Sequence, residues 1–400
     1  MCSHYGGKDF VDMLFYRWRT SLRVFWNVEA RLLTKRYAPS YTVETVAQTV
    51  ALLPEKVAAK GASVTIRDVA RLAGVSVTTV SHVLNGSRYV EPETKGRVRR
   101  AVEQLGYRPN LLARGLRRRE TATIGLLIPD NSNPFFAEVA RVIEDAGFAA
   151  GYSVILCNSD LSEEKQARYI DVLLAKQVDG LILISSGFGP ARLERILGAR
   201  VPVVIVDREL SGVPVDQVIV DNDQGGCFAG EYLVRLGHRR IGCIAGPSDI
   251  TPSAGRLTGF RRALSAAGVE LALDAIVRGD GRYASGDDAM AELIRRDLGL
   301  TAVFAHNDLM AIGALSALRR AGLRAPEDIS VIGFDNILQA AAMAPALTTI
   351  AQPVVELGQV SVRLLLDQIG QRTEQPSCIV LPTTLVERES CRALSLEGRR

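Results

Sequence analysis

Two sets of residues in this 400-residue chain have the types and spacing to do chemistry. The first is Val77, Thr78, Ser81 and His82, which share one face of a short helical pattern between Ser76 and Asn85. Small hydroxyls, an imidazole and a methyl-bearing side chain on an outer helix face suit base edges in the major groove of DNA. The second set follows runs of Val, Ile and Leu. It reads Asp130-Asn-Ser-Asn-Pro-Phe-Phe136, Ser185-Ser186, Asp207-Arg208, Asp221-Asn222, Gly246-Pro247, His306-Asn307-Asp308 and Asp335-Asn336, with Gln352 and Arg256 beside them. Carboxylates, amides and arginines with a pair of aromatics can hydrogen-bond hydroxyls and stack a sugar ring. His306 near Asp308 could do acid–base work. No nucleophile–base pair, phosphate loop or metal-ligand cluster accompanies it, so no catalytic residue, metal or cofactor is expected.

The first set needs a rigid two-helix frame, and the flanking residues supply one. Ile66, Val69, Ala70 and Ala73 fall at i, i+3, i+4 and i+7, an apolar stripe on a first helix. Thr65 stands at its N-cap position with Asp68 three residues on, an approximate capping box. Gly74 relieves the corner, and Ser76 can cap the second helix, whose Val80, Val83 and Leu84 face inward. Asn85-Gly86 ends it. This is a helix-turn-helix pattern, and Thr65, Ser76, Thr79 and Asn85 join the outer face as candidate DNA contacts. A third helix begins near Pro92, with Val98, Ala101, Val102 and Leu105 as its apolar face. The connector 109–120 carries four arginines and little to bury. It reads as a hinge helix paired across a dimer, Leu116 wedging between base steps in the minor groove while Arg114 and Arg117 hold phosphates.

The second set needs strands. From Thr121 the chain alternates nine strand candidates with amphipathic helices: Thr123–Ile128, Ser153–Cys157, Gly180–Ile184, Val203–Val206, Gln217–Val220, Arg240–Ala245, Ala302–Ala305, Ser330–Phe334 and Leu347–Ile350. Near-continuous aliphatic runs suit parallel strands covered on both faces. Over 280 residues this predicts two doubly wound lobes with a cleft between them, an α/β architecture that binds ligands beyond the carboxyl ends of its strands.

Charge separates these regions. Residues 64–120 hold 12 Lys/Arg against 5 Asp/Glu, residues 1–63 hold 9 against 5, and the remaining 280 carry a net −7. A basic head on an acidic body suits a polyanion-binding module. Hydrophobic content of 47% is ample for a large core. The six cysteines have no C-x-x-C or metal spacing and read as reduced thiols, which with no signal peptide points to a cytoplasmic protein. No run of 18 apolar residues exists, so no membrane span is expected. Residues 1–63 hold both tryptophans and 9 of the 23 aromatics, with Arg17, Arg19 and Arg23 among them. They read as a poorly ordered extension or upstream translated sequence, against the alternative of a membrane- or nucleic-acid-binding helix.

From about Val64 onward the chain resembles a LacI-type (LacI/GalR family) transcriptional regulator. The resemblance rests on the helix-turn-helix with Gly-Val-Ser, Tyr-Arg-Pro-Asn…Ala-Arg-Gly-Leu, Ile-Pro-Asp…Ser-Asn-Pro-Phe-Phe, Val-Asp-Arg, His-Asn-Asp and Gly-Phe-Asp-Asn, in family order over roughly 335 residues. It implies a head at 64–108, a hinge helix at 109–120 and a periplasmic-binding-protein-like (type I) effector domain at 121–400. One lobe is expected at about 121–220 and 353–378, the other at 221–351 and 379–400. It also implies a homodimer on palindromic double-stranded DNA, controlled by a small molecule, most simply a sugar of the ribose kind. The effector residues it implies are Asn133, Phe135, Phe136, Asp207, Arg208, Arg256, Asn307, Asp308, Asp335 and Gln352. His82 stands where many members have Arg. Gly281 lies near a position that is often aromatic, which Tyr283 could replace. The C-terminus lacks a leucine heptad, arguing against a tetramer. The competing readings are a sugar-binding transport component and a sugar-acting enzyme.

Overall fold

The computed structural model describes residues 64–86, 88–107, 121–184, 190–210, 212–248, 250–372 and 375–394. The readings made on residues 1–63, on the connector with Arg114, Leu116 and Arg117, and on Ser185-Ser186 lie outside them. The chain divides into two compact units, residues 1–109 and 110–400.

The first unit is a three-helix head: α1 (Ile66–Ala73), α2 (Val77–Asn85) and α3 (Pro92–Leu105). The Asp68 carboxylate accepts the Thr65 backbone N–H at 2.9 Å and its hydroxyl at 2.7 Å, which closes the N-terminus of α1. Gly74 then turns the corner in the left-handed conformation at φ 64°, which a side chain would strain. Val69, Ala70, Ala73, Val80, Val98 and Ala101 form the buried centre, with Val83, Leu84, Val102 and Leu105 packed around it. These are the apolar stripes read from the sequence, so the helix periodicity alone places the core.

The second unit contains β1 (Thr123–Ile128), α4 (Pro134–Ala149), β2 (Ser153–Asn158), α5 (Glu163–Ala175), β3 (Gly180–Ile184), α6 (Pro190–Gly198), β4 (Val203–Val206) and β5 (Asp216–Val220). It continues with α7 (Asn222–Arg235), β6 (Ile241–Ala245), α8 (Thr251–Ala266), β7 (Ile276–Arg278), α9 (Tyr283–Arg295), β8 (Ala302–Ala305), α10 (Asp308–Arg320) and β9 (Ser330–Asp335). The remaining elements are α11 (Leu338–Ala342), β10 (Thr348–Ala351), α12 (Val354–Ile369), β11 (Cys378–Leu381) and β12 (Thr384–Val386). They build two sheets, ordered β11-β5-β4-β3-β1-β2 and β12-β10-β9-β8-β6-β7, parallel except for the β10–β12 pair. The interior strands β3 and β4 are buried at every position, as helices on both faces require.

The nine expected strands are present to within a residue at either end. Three further strands, β7, β11 and β12, sit at sheet edges; β7 and β12 are three residues long, too short to show a period, while β11 is a four-residue apolar run, Cys-Ile-Val-Leu, that the strand reading passed over. One consequence is a shifted lobe boundary. β11 pairs in parallel with β5, so the first lobe extends to Leu381 and does not end at 378. The chain passes between lobes three times: at Asp221, between Ala351 and Val354, and at 382–383.

In the second lobe, α7 and α8 approach backbone to backbone. A Cβ on Gly226 would lie 2.1 Å from the Arg256 carbonyl oxygen, and one on Gly259 would lie 1.8 Å from that of Asp223. This close crossing sets the position of Arg256.

Candidate functional site

Arg256 is the centre of a buried polar network at the strand ends of the second unit. Its Nε donates to Asn222 Oδ1 at 2.8 Å, and one terminal nitrogen donates to the His306 carbonyl at 2.8 Å and approaches Asp335 Oδ1 at 3.4 Å. The guanidinium lies 3.7 Å from the Phe334 ring centroid, a cation–π contact. Gln352 donates to the same Asp335 oxygen at 2.7 Å. In the first lobe, Arg208 donates to its neighbour Asp207, to the carbonyl at 2.8 Å and to Oδ2 at 2.9 Å. Asp207, Arg208, Arg256, Asp335 and Gln352 are all buried.

The two halves of this network feel each other across the cleft. Burial holds the Asp207 carboxyl above its ordinary range, opposed by Arg208 on its own lobe and Arg256 on the other. Burial likewise pushes Asp335 up to about 7, with Arg256 and Gln352 opposing and Asp207 reinforcing. His306 is held well below its usual value by burial and then by the Arg256 and Arg208 charges, so its imidazole is neutral. Several buried side-chain acceptors in the second unit have no partner. Asp207 Oδ1, Gln352 Oε1 and Ser253 Oγ are buried and unbonded. Ser253 escaped the sequence reading; its signal is its place three residues before Arg256 on the same face of α8.

The other expected residues divide into groups. Asn133 caps α4, accepting the Phe135 N–H at 3.0 Å, and Phe135 meets Phe136 edge to face at 5.1 Å. Phe135 is part of the core, whereas Phe136 is only partly buried. Asn307 caps α10 through Met310 N–H and donates to the Gly281 carbonyl, both at 2.8 Å, so it braces the loop opposite. Tyr283 begins α9 and is 43% exposed. Asp308 does not join the cleft: its carboxylate is 0% exposed and turned into the second lobe, bonded to Thr349 and Ile337. Sequence adjacency to Asn307 gave no sign of this, because successive residues at a helix start point in different directions.

In the head, Ser76 Oγ accepts the Thr79 N–H at 3.0 Å and lies 2.8 Å from its hydroxyl, so these two close the start of α2. Asn85 donates to Ser81 at 3.1 Å, tying the last turn together. Val77 is 40% exposed and Thr78 is exposed, while Ser81 and His82 are partly covered. Val77, at the first turn of α2, leaves an apolar group exposed although Val80, one turn on, is buried.

Residues 65–110 match the model of bacterial regulatory proteins, lacI family, and residues 231–391 match the periplasmic binding protein-like domain. The HTH-type transcriptional repressor PurR of Pectobacterium carotovorum subsp. carotovorum (strain PC1) is 42% identical over 328 residues, 82% of this chain and 96% of that protein. The ribose operon repressor of Escherichia coli (strain K12) is 42% identical over 331 residues, 82% of this chain and 99% of that protein. Among solved structures, the lac repressor dimer bound to operator and the anti-inducer ONPF is 30% identical with a TM-score of 0.75, covering 83% of this chain and all of that one. A LacI family transcriptional regulator from Enterococcus faecium with bound ribose is 34% identical with a TM-score of 0.62, covering 68% of this chain and all of that one.

Proposed function

We infer the function from membership of the lacI family of bacterial regulatory proteins, to which this chain belongs. It is a DNA-binding transcriptional regulator whose affinity for its operator is controlled by a small-molecule effector. Repression is the direction its relatives' names carry. The protein acts in the cytoplasm as a homodimer on a palindromic operator, and the effector is a sugar of the ribose kind.

The sugar reading is carried by the unspent acceptors of the cleft. Asp207 Oδ1 and Gln352 Oε1 are buried without a partner, beside the raised carboxyl of Asp335. A buried acceptor left unbonded costs roughly 1–3 kcal/mol, so a ligand that brings several hydroxyl donors binds with that penalty relieved. A polyhydroxylated ring meets this need, and Phe136 and the arginines supply stacking and donor groups. Effector and DNA affinities are coupled reciprocally, typically by about 1–3 kcal/mol.

In the head, Val77, Thr78 and His82 read bases, with Thr65, Ser76, Thr79, Ser81 and Asn85 supporting the helix and its phosphate contacts. Arg114, Leu116 and Arg117 of the connector serve as phosphate and minor-groove contacts. The acid–base reading of His306 loses its partner, because both oxygens of Asp308 are bonded elsewhere. The transport reading is disfavoured by relatives that match across the head as well as the body.

Two experiments test this. Gel shift with palindromic duplexes at low salt should retard the DNA, and calorimetry with a panel of pentoses, hexoses and purines should show binding by a pentose. Heat from a purine alone would transfer the effector class; no retardation of any duplex would remove the regulatory reading.

A further inference from the structure

Asp308 lies in the row of strand-end polar residues, yet it has no oxygen left for a ligand. Oδ1 accepts the Thr349 hydroxyl at 2.6 Å, and Oδ2 accepts the Ile337 backbone N–H at 2.9 Å. Gly333 on β9 makes the space, since a Cβ there would stand 2.2 Å from Asp308 Oδ1. The loop held by this carboxylate is the one that carries Asp335. Its backbone is unusual: Asp335 has φ 115° and Asn336 φ 59°, values that L-residues adopt rarely and keep only when their surroundings over-determine them. Arg388 grips the same loop from outside, donating to Asn336 Oδ1 at 2.6 Å and to the Leu347 carbonyl at 2.7 Å.

We propose that Asp308 is a positioning residue: it ties the start of α10 to β10 and to the 335–337 loop, and so fixes the Asp335 carboxylate against Gln352 and Arg256 without touching effector. The inference rests on the reading of the cleft as an effector site. A residue that touches a sugar discriminates between stereoisomers. A strut beneath the binding carboxylate weakens all of them by a common factor, because it acts only on where that carboxylate stands.

The test uses the full-length protein and the variants Asp308→Ala, Asp308→Asn and Thr349→Val. The amide of Asp308→Asn can still accept Ile337 N–H through its oxygen and donate to Thr349 through its nitrogen, so it should retain most of the wild-type behaviour. In effector-free protein, Asp308→Ala should speed hydrogen exchange at residues 335–337. Against D-ribose, D-arabinose and D-xylose it should lower affinity by about ten- to a hundredfold without changing their order. If Asp308→Ala fails to fold, Thr349→Val, which preserves volume, should give the same pattern at smaller amplitude. Unchanged exchange at 335–337, or loss confined to one stereoisomer, overturns the proposal. If wild type binds none of the three sugars, the sugar reading fails, and the exchange measurement alone decides the strut.

Discussion

Arg282 Nε of the second lobe lies 3.5 Å from Asp130 Oδ2 of the first, an ion pair across the mouth of the cleft. The same Asp130 carboxylate is fixed from its own side by the Ser132 N–H at 2.9 Å and hydroxyl at 2.6 Å. A second contact joins the lobes nearby, where the Glu209 N–H donates to the Thr251 hydroxyl at 3.3 Å. Both contacts form only when the lobes stand in this relation. They therefore favour this arrangement over any more open one.

Arg282 is half exposed, so its pair with Asp130 is worth at most about 1 kcal/mol. Arg282→Ala should weaken effector binding by no more than about fivefold. Raising salt should shrink the difference between wild type and variant, because exposed charges are screened over roughly 8 Å at physiological ionic strength. Effector titrations at several NaCl concentrations check this; a difference that salt leaves untouched would mean the charge is not the cause.

Asp207 offers an unbonded buried oxygen to the cleft, so its loss should fall on effector and spare DNA. Asp207→Ala should lower effector affinity by about ten- to a hundredfold, while operator affinity without effector stays within about twofold of wild type. Calorimetry and gel shift on the same preparation separate the two. Equal loss in both assays would indicate a general defect in folding.

The raised Asp335 carboxyl makes stability and binding depend on pH in opposite directions. Its folded value is about 7, above the ordinary 3.8, so the protonated folded form is favoured. Its stabilising contribution is complete below about pH 4, is lost as pH rises to about 7, and is constant beyond. Asp335→Asn should flatten that part of a denaturation series. On the proposed reading, in which effector hydroxyls donate to the ionised carboxylate, sugar affinity should rise between about pH 6 and about pH 8, with proton release on binding. Calorimetry in buffers of different ionisation heat reads the protons directly.

Gly259→Ala should move Arg256 without altering it. The added methyl would meet the Asp223 carbonyl at 1.8 Å, forcing α8 away from α7. The cost should be about 1–3 kcal/mol in stability, with a loss of effector affinity alongside. A denaturant melt and an effector titration check both; full stability would show that the helices separate without strain.

On the DNA side, His82→Ala should change preference at one base pair per half-site, whereas Arg114→Ala should weaken all sequences alike. Binding to a set of single-base operator variants distinguishes them. Equal loss of His82→Ala on every variant would refute a base-reading role.

Much of this protein was legible in its sequence, because the features concerned are local or periodic. The apolar stripes at Ile66–Ala73, Val80–Leu84 and Val98–Leu105 close a three-helix head by helix geometry alone. Continuous aliphatic runs mark the interior strands, and a parallel sheet places the residues after them at one edge. By that rule Asp207, Arg208, Asp335 and Gln352 belong at strand ends, and all four are buried there. The edge strands β7 and β12 were not legible, since three residues are too few to show a period.

Tertiary structure alone decided which way each of those residues turns and what it meets. Asp308 and Asp335 both end or follow a strand in the sequence, yet the gap over Gly333 draws Asp308 inward while φ 115° sends Asp335 toward Arg256. The pairing of Arg282 with Asp130 joins residues 152 positions apart in different lobes. Spacing along a chain fixes the direction of a side chain only within one helix or strand; between elements, direction depends on how they pack, and that is a property of the assembled fold.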